Sequence, residues 1–253
     1  MNRGYRSVLI ACLVGTAIPA LAQPLEDRVL GAPTDIVRMS FPARADLCVD
    51  SGDGIWHQRF DSNWWRPCED GPVRVQAWKD GDRVTALRTY VGGAWRPSAD
   101  ATDLGEVPAE AASDWLLGLA ATAAPSVAED AVDPAVMADV ADPWVPLLEL
   151  GRDRNLAEDV RERAIFWVGQ SAAREATRGL ASLAEGETET TEIQQAAVFA
   201  LSQRDESERI DHLLRVARTH ANPEVVRSAF FWLAESADER AIQFFEDVLL
   251  RRQ

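Results

Sequence analysis

The chain has 253 residues, enough for one large domain or two small ones. Its apolar content of 47% and charged content of 26% are ordinary for a globular protein. The formal net charge of −15 disfavours nucleic acid as a partner, because a polyanion would repel the protein as a whole.

The N-terminal segment 1–22 has the features of a secretory signal peptide. Arg3 and Arg6 supply a positive start, and segment 8–18 forms an uncharged apolar run that is too short to span a bilayer. Small side chains at 20–22 predict cleavage after Ala22, leaving an exported protein, periplasmic or extracellular, without a stable membrane span. Two alternatives are an uncleaved anchor and a lipoprotein modified at Cys12, which ends a lipobox-like Leu-Ile-Ala-Cys.

Cleavage at this position removes Cys12 and leaves two cysteines in the mature chain, Cys48 and Cys68. Two thiols in an exported protein usually pair, so we predict one disulfide that closes the 48–68 loop. On the chain-entropy account a loop of this size contributes about 3 kcal/mol. A metal site is the alternative, but with only His57 between the cysteines its ligand set is incomplete, and no metal or cofactor is predicted.

Residues 23–33 are predicted to form a flexible leader, and residues 34–98 a small, mostly antiparallel β module of four or five strands. Val37, Met39 and Phe41 alternate with polar residues, which is the pattern of a half-buried strand. The sequence Lys-Asp-Gly-Asp at 79–82 indicates a hairpin turn. A module of this size buries a limited core, for which a disulfide is the expected reinforcement.

Five of the nine tryptophans fall in the β module. They could form an aromatic platform for a sugar, or stack with nearby arginines around an anionic group. Trp64 and Trp65 are consecutive, so on a strand they would face opposite sides and one would be exposed. The alternative is that the tryptophans simply fill the core of a small β domain.

Residues 99–106 are predicted to be a linker, after which residues 107–253 follow a helical period. Phe166, Phe199 and Phe231 lie in three similar segments at a nearly constant spacing. A period of roughly 33 residues indicates a stacked array of helix pairs. Leu180, Leu213 and Phe245 each follow the corresponding phenylalanine at the same distance along the chain, which places a second helix in every unit.

The segments 160–169 and 223–234 resemble HEAT repeats, whose motif has a proline, then Val-Arg, then a small apolar run. The middle unit has Ile193-Gln194 instead of Val-Arg, which would interrupt an arginine ladder along the stack. The resemblance covers about residues 142–251, with 107–140 as an irregular cap, and its period is shorter than is usual for HEAT units. The predicted fold is therefore α+β and mainly α, an α-solenoid preceded by a small antiparallel β module.

The resemblance implies a scaffold or adaptor that binds another protein, and it carries no catalytic residues. Solenoids often bind through the surface of their stacked second helices. In this chain the polar residues of those helices form the predicted partner-binding surface: Arg174, Arg178, Asp211, His212, Arg215, Arg240 and Gln243. The competing interpretation is that these side chains are only a solvated face.

Two other functions compete with the scaffold. Carbohydrate or cell-wall binding by the tryptophan-rich module is the first. A lyase-type enzyme is the second, although the array has no cysteine and only His212 and His220. The aromatic residues of the repeated segment are predicted to be core, so that Phe231→Ala would cost about 3–5 kcal/mol.

Overall fold

A computed structural model describes residues 23–45, 47–50, 56–58, 68–69, 71–204 and 208–250. For residues 48–50, 56–58, 68–69 and 208 it describes the backbone only. The predicted signal peptide, with Cys12, lies outside the described residues, and so do Trp64 and Trp65.

Within the described ranges, seven strands form two sheets. Their bounds are β1 (Ile36–Phe41), β2 (Leu47–Asp50), β3 (Trp56–Gln58), β4 (Cys68–Glu69), β5 (Val73–Asp80), β6 (Arg83–Val91) and β7 (Ala101–Glu106). The larger sheet has the order β6-β5-β1-β7, and the smaller one the order β3-β2-β4. The larger sheet is mixed, because β1 runs antiparallel to β5 but parallel to β7.

The predicted half-buried strand is confirmed in β1. Val37, Met39 and Phe41 are fully buried, while the residues between them are only partly so. The predicted hairpin joins β5 to β6, and Gly81 adopts a φ of 61° in its turn, a conformation that glycine takes without steric cost.

Two segments predicted to lack regular structure are ordered elements. The predicted leader contains helix α1 (Leu25–Leu30), which buries Leu25 and Val29 and packs against the first helix after the sheet. The predicted linker contains β7, which is held by the Thr34 and Thr102 hydroxyls at 2.7 Å. Strand β7 lies at the sheet edge without a buried position, so its polar composition resembles that of a linker.

The backbone alone does not show whether Cys48 and Cys68 form the predicted disulfide. Strands β2 and β4 are antiparallel neighbours, with Asp50 opposite Cys68. Cys48 is therefore two positions out of register with Cys68. The pairing stays a prediction, because the two side chains lie outside the described part of the chain.

After β7, the described residues form helices stacked in two layers. After α1 their bounds are α2 (Ala109–Thr122), α3 (Pro125–Met137), α4 (Trp144–Arg152), α5 (Glu158–Gly169), α6 (Arg174–Ala184), α7 (Thr191–Ser202), α8 (Glu208–Thr219), α9 (Pro223–Glu235) and α10 (Glu239–Leu250). Helices α3, α5, α7 and α9 pack side by side and form what we call the first-helix layer. Helices α4, α6, α8 and α10 form the second-helix layer, and α2 packs against α3 and α4.

The repeated segments have the same buried positions at the same spacing. Three positions of the first helix are buried in all three units: Val160, Ile193 and Val225; Ala164, Ala197 and Ala229; Val168, Leu201 and Leu233. Within each helix these positions recur at every fourth residue, which is the pattern of a helix packed along one side. The solenoid predicted from the sequence is thus confirmed, with the helix at 144–152 completing the second-helix layer of an earlier unit.

Gln194 does not interrupt the stack. Arg161 donates a hydrogen bond from Nε to the Gly151 carbonyl at 3.0 Å, and Gln194 donates from Nε2 to the Gly186 carbonyl at 2.8 Å. Both side chains are buried, and each donates to a carbonyl at or just after the end of the preceding second helix. Arg227, the other arginine of the motif, is exposed. In the last unit, Val226 occupies the position equivalent to Arg161 and Gln194.

The sheet and the solenoid share one hydrophobic core. Helix α3 packs on β5 and β6, and the chain after β1 is bonded to the end of α3 through Arg44 N to the Met137 carbonyl at 2.9 Å. The two parts are therefore joined by packing and by backbone hydrogen bonds.

Candidate functional site

The predicted partner-binding surface lies on α6, α8 and α10, as expected, but part of its charge is used between repeat units. Arg215 on α8 forms an ion pair with Glu185 at 3.2 Å, and Arg240 on α10 forms one with Asp211 at 3.0 Å. Arg240 also pairs with Asp238, and this hydrogen bond is the main cause that lowers the pKa of the Asp238 carboxyl. The Arg215–Glu185 and Arg240–Asp211 pairs connect successive second helices.

The remaining residues of that surface differ in their exposure. Arg174, Arg178 and Gln243 are exposed. His212 is mostly buried, with Nδ1 at 3.6 Å from the Glu185 carboxylate and without a hydrogen-bond partner among the described residues. The second-helix layer thus provides a polar face, but the structure does not gather these seven side chains into one cavity.

Two arginine side chains of the sheet lie over a tryptophan ring. The guanidinium carbons of Arg38 and Arg74 lie 5.0 and 4.6 Å from the centre of the Trp95 ring. Arg38 donates to the Arg96 carbonyl and Arg74 to the Gly92 carbonyl, so the pair fastens the 92–96 segment to the sheet. Burial lowers the pKa of the Arg74 guanidinium, partly offset by Tyr90.

A different site lies on the outer face of the first-helix layer, where the repeated phenylalanines are found. Phe166 on α5 and Phe199 on α7 are half-buried, with ring centres 6.3 Å apart and planes inclined by 15°. Phe199 also lies 5.1 Å from Trp232 on α9, so aromatic rings follow one another across three helices. The separation of the rings is that of favourable aromatic pairs.

These positions correct the expectation that the repeated aromatic residues are core. Phe231, the third member of the series, is 56% exposed, so its replacement by alanine cannot leave a large core cavity. The tryptophan of the first unit is core, as expected: Trp167 is 3% exposed and donates from Nε1 to the Asp133 carboxylate at 2.8 Å. Two neighbouring aromatic residues on α5 therefore differ in burial, although their ring centres lie only 5.3 Å apart.

Phe166 and Phe199 form the floor of a cavity of about 530 Å³ between α3, α5 and α7, which we call the aromatic groove. Its other lining residues are mostly charged: Glu129, Asp159, Glu162, Arg163, Glu192, Gln195 and Ala196. Four of them are carboxylates and one is a guanidinium.

The electrostatics of the aromatic groove are unbalanced toward negative charge. Burial raises the pKa of the Glu162 carboxyl, and the negative charges of Glu158, Asp159 and Glu192 raise it further. Asp130 on α3 shows the same behaviour, since burial and then Glu129 and Asp133 raise its pKa, with only Arg163 opposing them.

The groove continues toward the sheet. A second cavity of about 340 Å³ shares Glu129 and Arg163 with it and runs between α3 and strand β6, where Arg88 and Tyr90 line it. Arg163 stands between the two cavities, 3.6 Å from Glu129 and 3.7 Å from Asp133. Together the cavities form a concave path from the edge of the sheet across three helices.

The sequence contained part of the information on this site. The spacing of the phenylalanines identified equivalent positions, and the acidic residues in the first turns of α5 and α7 are visible beside them. Such acids also stabilise the positive end of a helix dipole, so their presence alone indicates no site. Only the packing shows that both groups face the same cavity.

Within the part of the chain that the structure describes, no group of three or more His, Cys, Asp or Glu side chains is arranged to hold a metal ion. None of the helices in the described ranges combines the length and the apolar character needed to cross a membrane.

In a comparison with protein families, the model for HEAT repeats matches residues 145–235. The match covers α4 to α9, less than half of the chain, and agrees with the two-layer stack. Comparison with curated proteins finds no match for the chain. HEAT repeats are commonly protein-interaction scaffolds.

Proposed function

We propose that this protein is an exported scaffold or adaptor that binds another protein through its HEAT-like solenoid, at the aromatic groove. The observation that carries the proposal is the pair of half-exposed phenylalanines, Phe166 and Phe199, at the floor of a 530 Å³ cavity. Aromatic side chains that are neither fully buried nor isolated are typical of protein-binding surfaces.

The chemistry of the groove supports binding rather than turnover. Its lining provides carboxylates, a guanidinium, an amide and aromatic rings, and the carboxylates lie at the rim of an open cavity. No serine, cysteine or histidine is among its described lining residues, so those residues include no Ser–His or Cys–His pair.

The proposal is tested by site-specific photocrosslinking in the cells that make the protein. Replacing Phe199 by p-benzoylphenylalanine keeps an aromatic ring in the groove, and the same replacement of exposed Gln243 on α10 samples the second-helix layer. We expect an adduct from position 199 whose partner, once purified, binds the purified chain and loses binding to Phe166→Ser/Phe199→Ser. An adduct from position 243 alone would place binding on the second helices. The absence of an adduct from both positions would contradict a scaffold role.

Export is supported by the charged start, the apolar run and the small side chains of segment 1–22. N-terminal sequencing of the native protein should start at Gln23, and non-reducing peptide mapping should recover Cys48 and Cys68 in one disulfide-linked species. A start at Met1 would contradict cleavage of the signal peptide. A lipid-modified Cys12 would contradict cleavage after Ala22 and support the lipoprotein alternative.

A second candidate function is carbohydrate or cell-wall binding by the β module, favoured by its tryptophan content. Trp95 and Trp78 are engaged by arginines of the sheet, and the platform proposed from Trp64 and Trp65 rests on residues outside those described. Sedimentation of the protein with purified cell-wall polymer, compared between the native chain and Trp64→Ala/Trp65→Ala, tests this alternative.

A further inference from the structure

We infer that the segment docked in the aromatic groove is positively charged, and that its arginine or lysine side chains lie over the rings of Phe166 and Phe199 between the carboxylates of Asp159, Glu162 and Glu192. This inference rests on the proposed function and specifies the chemistry of the partner.

Charge is unevenly distributed along the groove. Arg163 is the only basic residue among the described lining residues, and it is held on the α3 side by Glu129 and Asp133. On the α5–α7 side, where Phe166 and Phe199 form the floor, no arginine or lysine of the described chain pairs with Asp159, Glu162 or Glu192. That half of the groove therefore presents negative charge without an internal counterion.

The groove combines aromatic rings with carboxylates. The faces of aromatic rings attract cations within about 6 Å of the ring centre, and arginine is the cation most often found there. A cation placed over Phe166 or Phe199 would also lie beside the carboxylates of the rim and gain from both. An uncharged apolar segment would cover the rings but remove water from carboxylates left unpaired, which is unfavourable.

The surroundings of Glu162 also favour a bound cation. Its raised pKa shows that the ionised carboxylate is disfavoured by burial and by its acidic neighbours in the free protein. A bound cation would relieve this repulsion. The α5–α7 side of the groove therefore favours a bound positive charge, which the described residues of the chain do not supply there.

The size of the site indicates a polypeptide segment rather than a single ion. The 530 Å³ cavity continues into the 340 Å³ cavity beside β6, so the path crosses several helices. A second copy of this chain is a poor occupant, since both copies carry a net charge of −15. A basic segment of another protein satisfies both the length and the charge.

The test measures binding of a defined peptide to the full chain by fluorescence anisotropy. The probe is a fluorescein-labelled Gly/Ser peptide with four arginines, and the reference peptide has glutamates at the same four positions. Salt is kept at about 0.15 M, where exposed charges more than about 8 Å apart are largely screened. The native protein should bind the arginine peptide and not the glutamate peptide.

Two double variants with the same loss of charge separate a docking site from general attraction. Glu162→Gln/Glu192→Gln changes the groove, and Glu110→Gln/Glu246→Gln changes exposed positions of α2 and α10. The groove variant should weaken the dissociation constant about tenfold or more, and the control less than about threefold. Phe166→Leu/Phe199→Leu, which keeps apolar volume but removes the rings, should also weaken it by about fivefold. Equal effects of the two charge variants, or equal binding of both peptides, would overturn the inference.

The partner identified by crosslinking gives an independent test. The peptide crosslinked at position 199 should contain at least two arginines or lysines, and its binding should be lost in Glu162→Gln/Glu192→Gln. If the partner binds that variant as well as the native chain, the scaffold stands and the charged segment is rejected. If position 199 captures no partner at all, the proposed function itself fails at this groove.

Discussion

At the scale of single residues, the surroundings decide what each side chain does. Phe166 and Trp167 are consecutive and both aromatic, yet one lines the groove and the other is core. Arg161 and Gln194 differ in charge, yet both donate from the same position of their helices to a carbonyl at or just after the end of the preceding second helix. The chemistry of a residue in this stack is therefore set by its register within the repeat.

Arg204 is a heavily used buried cation of the stack. It is 3% exposed and donates to the Thr177 hydroxyl and to the carbonyls of Val168, Ser171 and Ala173. Arg204→Met leaves these acceptors buried without their donor, so we expect a loss of about 3 kcal/mol or more in the free energy of unfolding. Urea unfolding measures this, with Arg178→Met on the exposed face of α6 as a control that should change by less than about 0.5 kcal/mol.

Glu162 gives a prediction that depends on pH. Its folded pKa is raised, so the folded state is favoured where the carboxyl is protonated, and this advantage is lost as pH rises through the folded pKa. At neutral pH, Glu162→Gln should therefore raise the free energy of unfolding by about 0.2–0.5 kcal/mol, the size of a like-charge pair such as Glu158–Glu162.

The gain from Glu162→Gln should shrink as pH is lowered from about 8 to about 5, toward the ordinary glutamate pKa of about 4.3. Chemical unfolding across this range provides the measurement, with Glu110→Gln as the matched control. A gain that stays constant with pH would show that ionisation of the Glu162 carboxyl is not its cause.

At the scale of elements, tertiary contacts convert segments of weak local preference into structure. Helix α1 is less than two turns long and β7 has exposed polar residues, and neither would be stable alone. Helix α1 is held by the burial of Leu25 and Val29, and β7 by its parallel pairing with β1. This is the physical reason why both resembled unstructured segments in the sequence.

The contribution of α1 can be measured at Val29, which is fully buried. Val29→Asp would bury a carboxylate without a partner, so α1 should detach and the free energy of unfolding should fall by about 2 kcal/mol or more. Glu26→Ala on the exposed side of α1 should have little effect. Limited proteolysis should cut near Leu30 in Val29→Asp only, and equal resistance of both variants would contradict an ordered α1.

At the scale of the whole molecule, the shared core predicts that sheet and solenoid unfold together. Phe41 lies in β1, far from the helical repeats in sequence, and is fully buried. Phe41→Ala should cost about 3–5 kcal/mol and lower the midpoint of the helical circular-dichroism signal, because the sheet packs on α3. Val145→Ala, at a position 47% exposed on α4, should leave that midpoint unchanged. A helical transition unaffected by Phe41→Ala would indicate two independent modules.

The sequence by itself determined the repeated architecture, because a stacked array needs the same buried positions in every unit and so repeats them at a fixed spacing. The alternation of β1 and the hairpin at Gly81 were also visible in the sequence, because each depends on residues that are close together in the chain. The tertiary structure alone decided that α1 and β7 are ordered and that the sheet shares its core with α3. It also decided that Phe166 and Phe199 face an acidic cavity rather than the core, because the orientation of a helix face depends on which helices pack beside it.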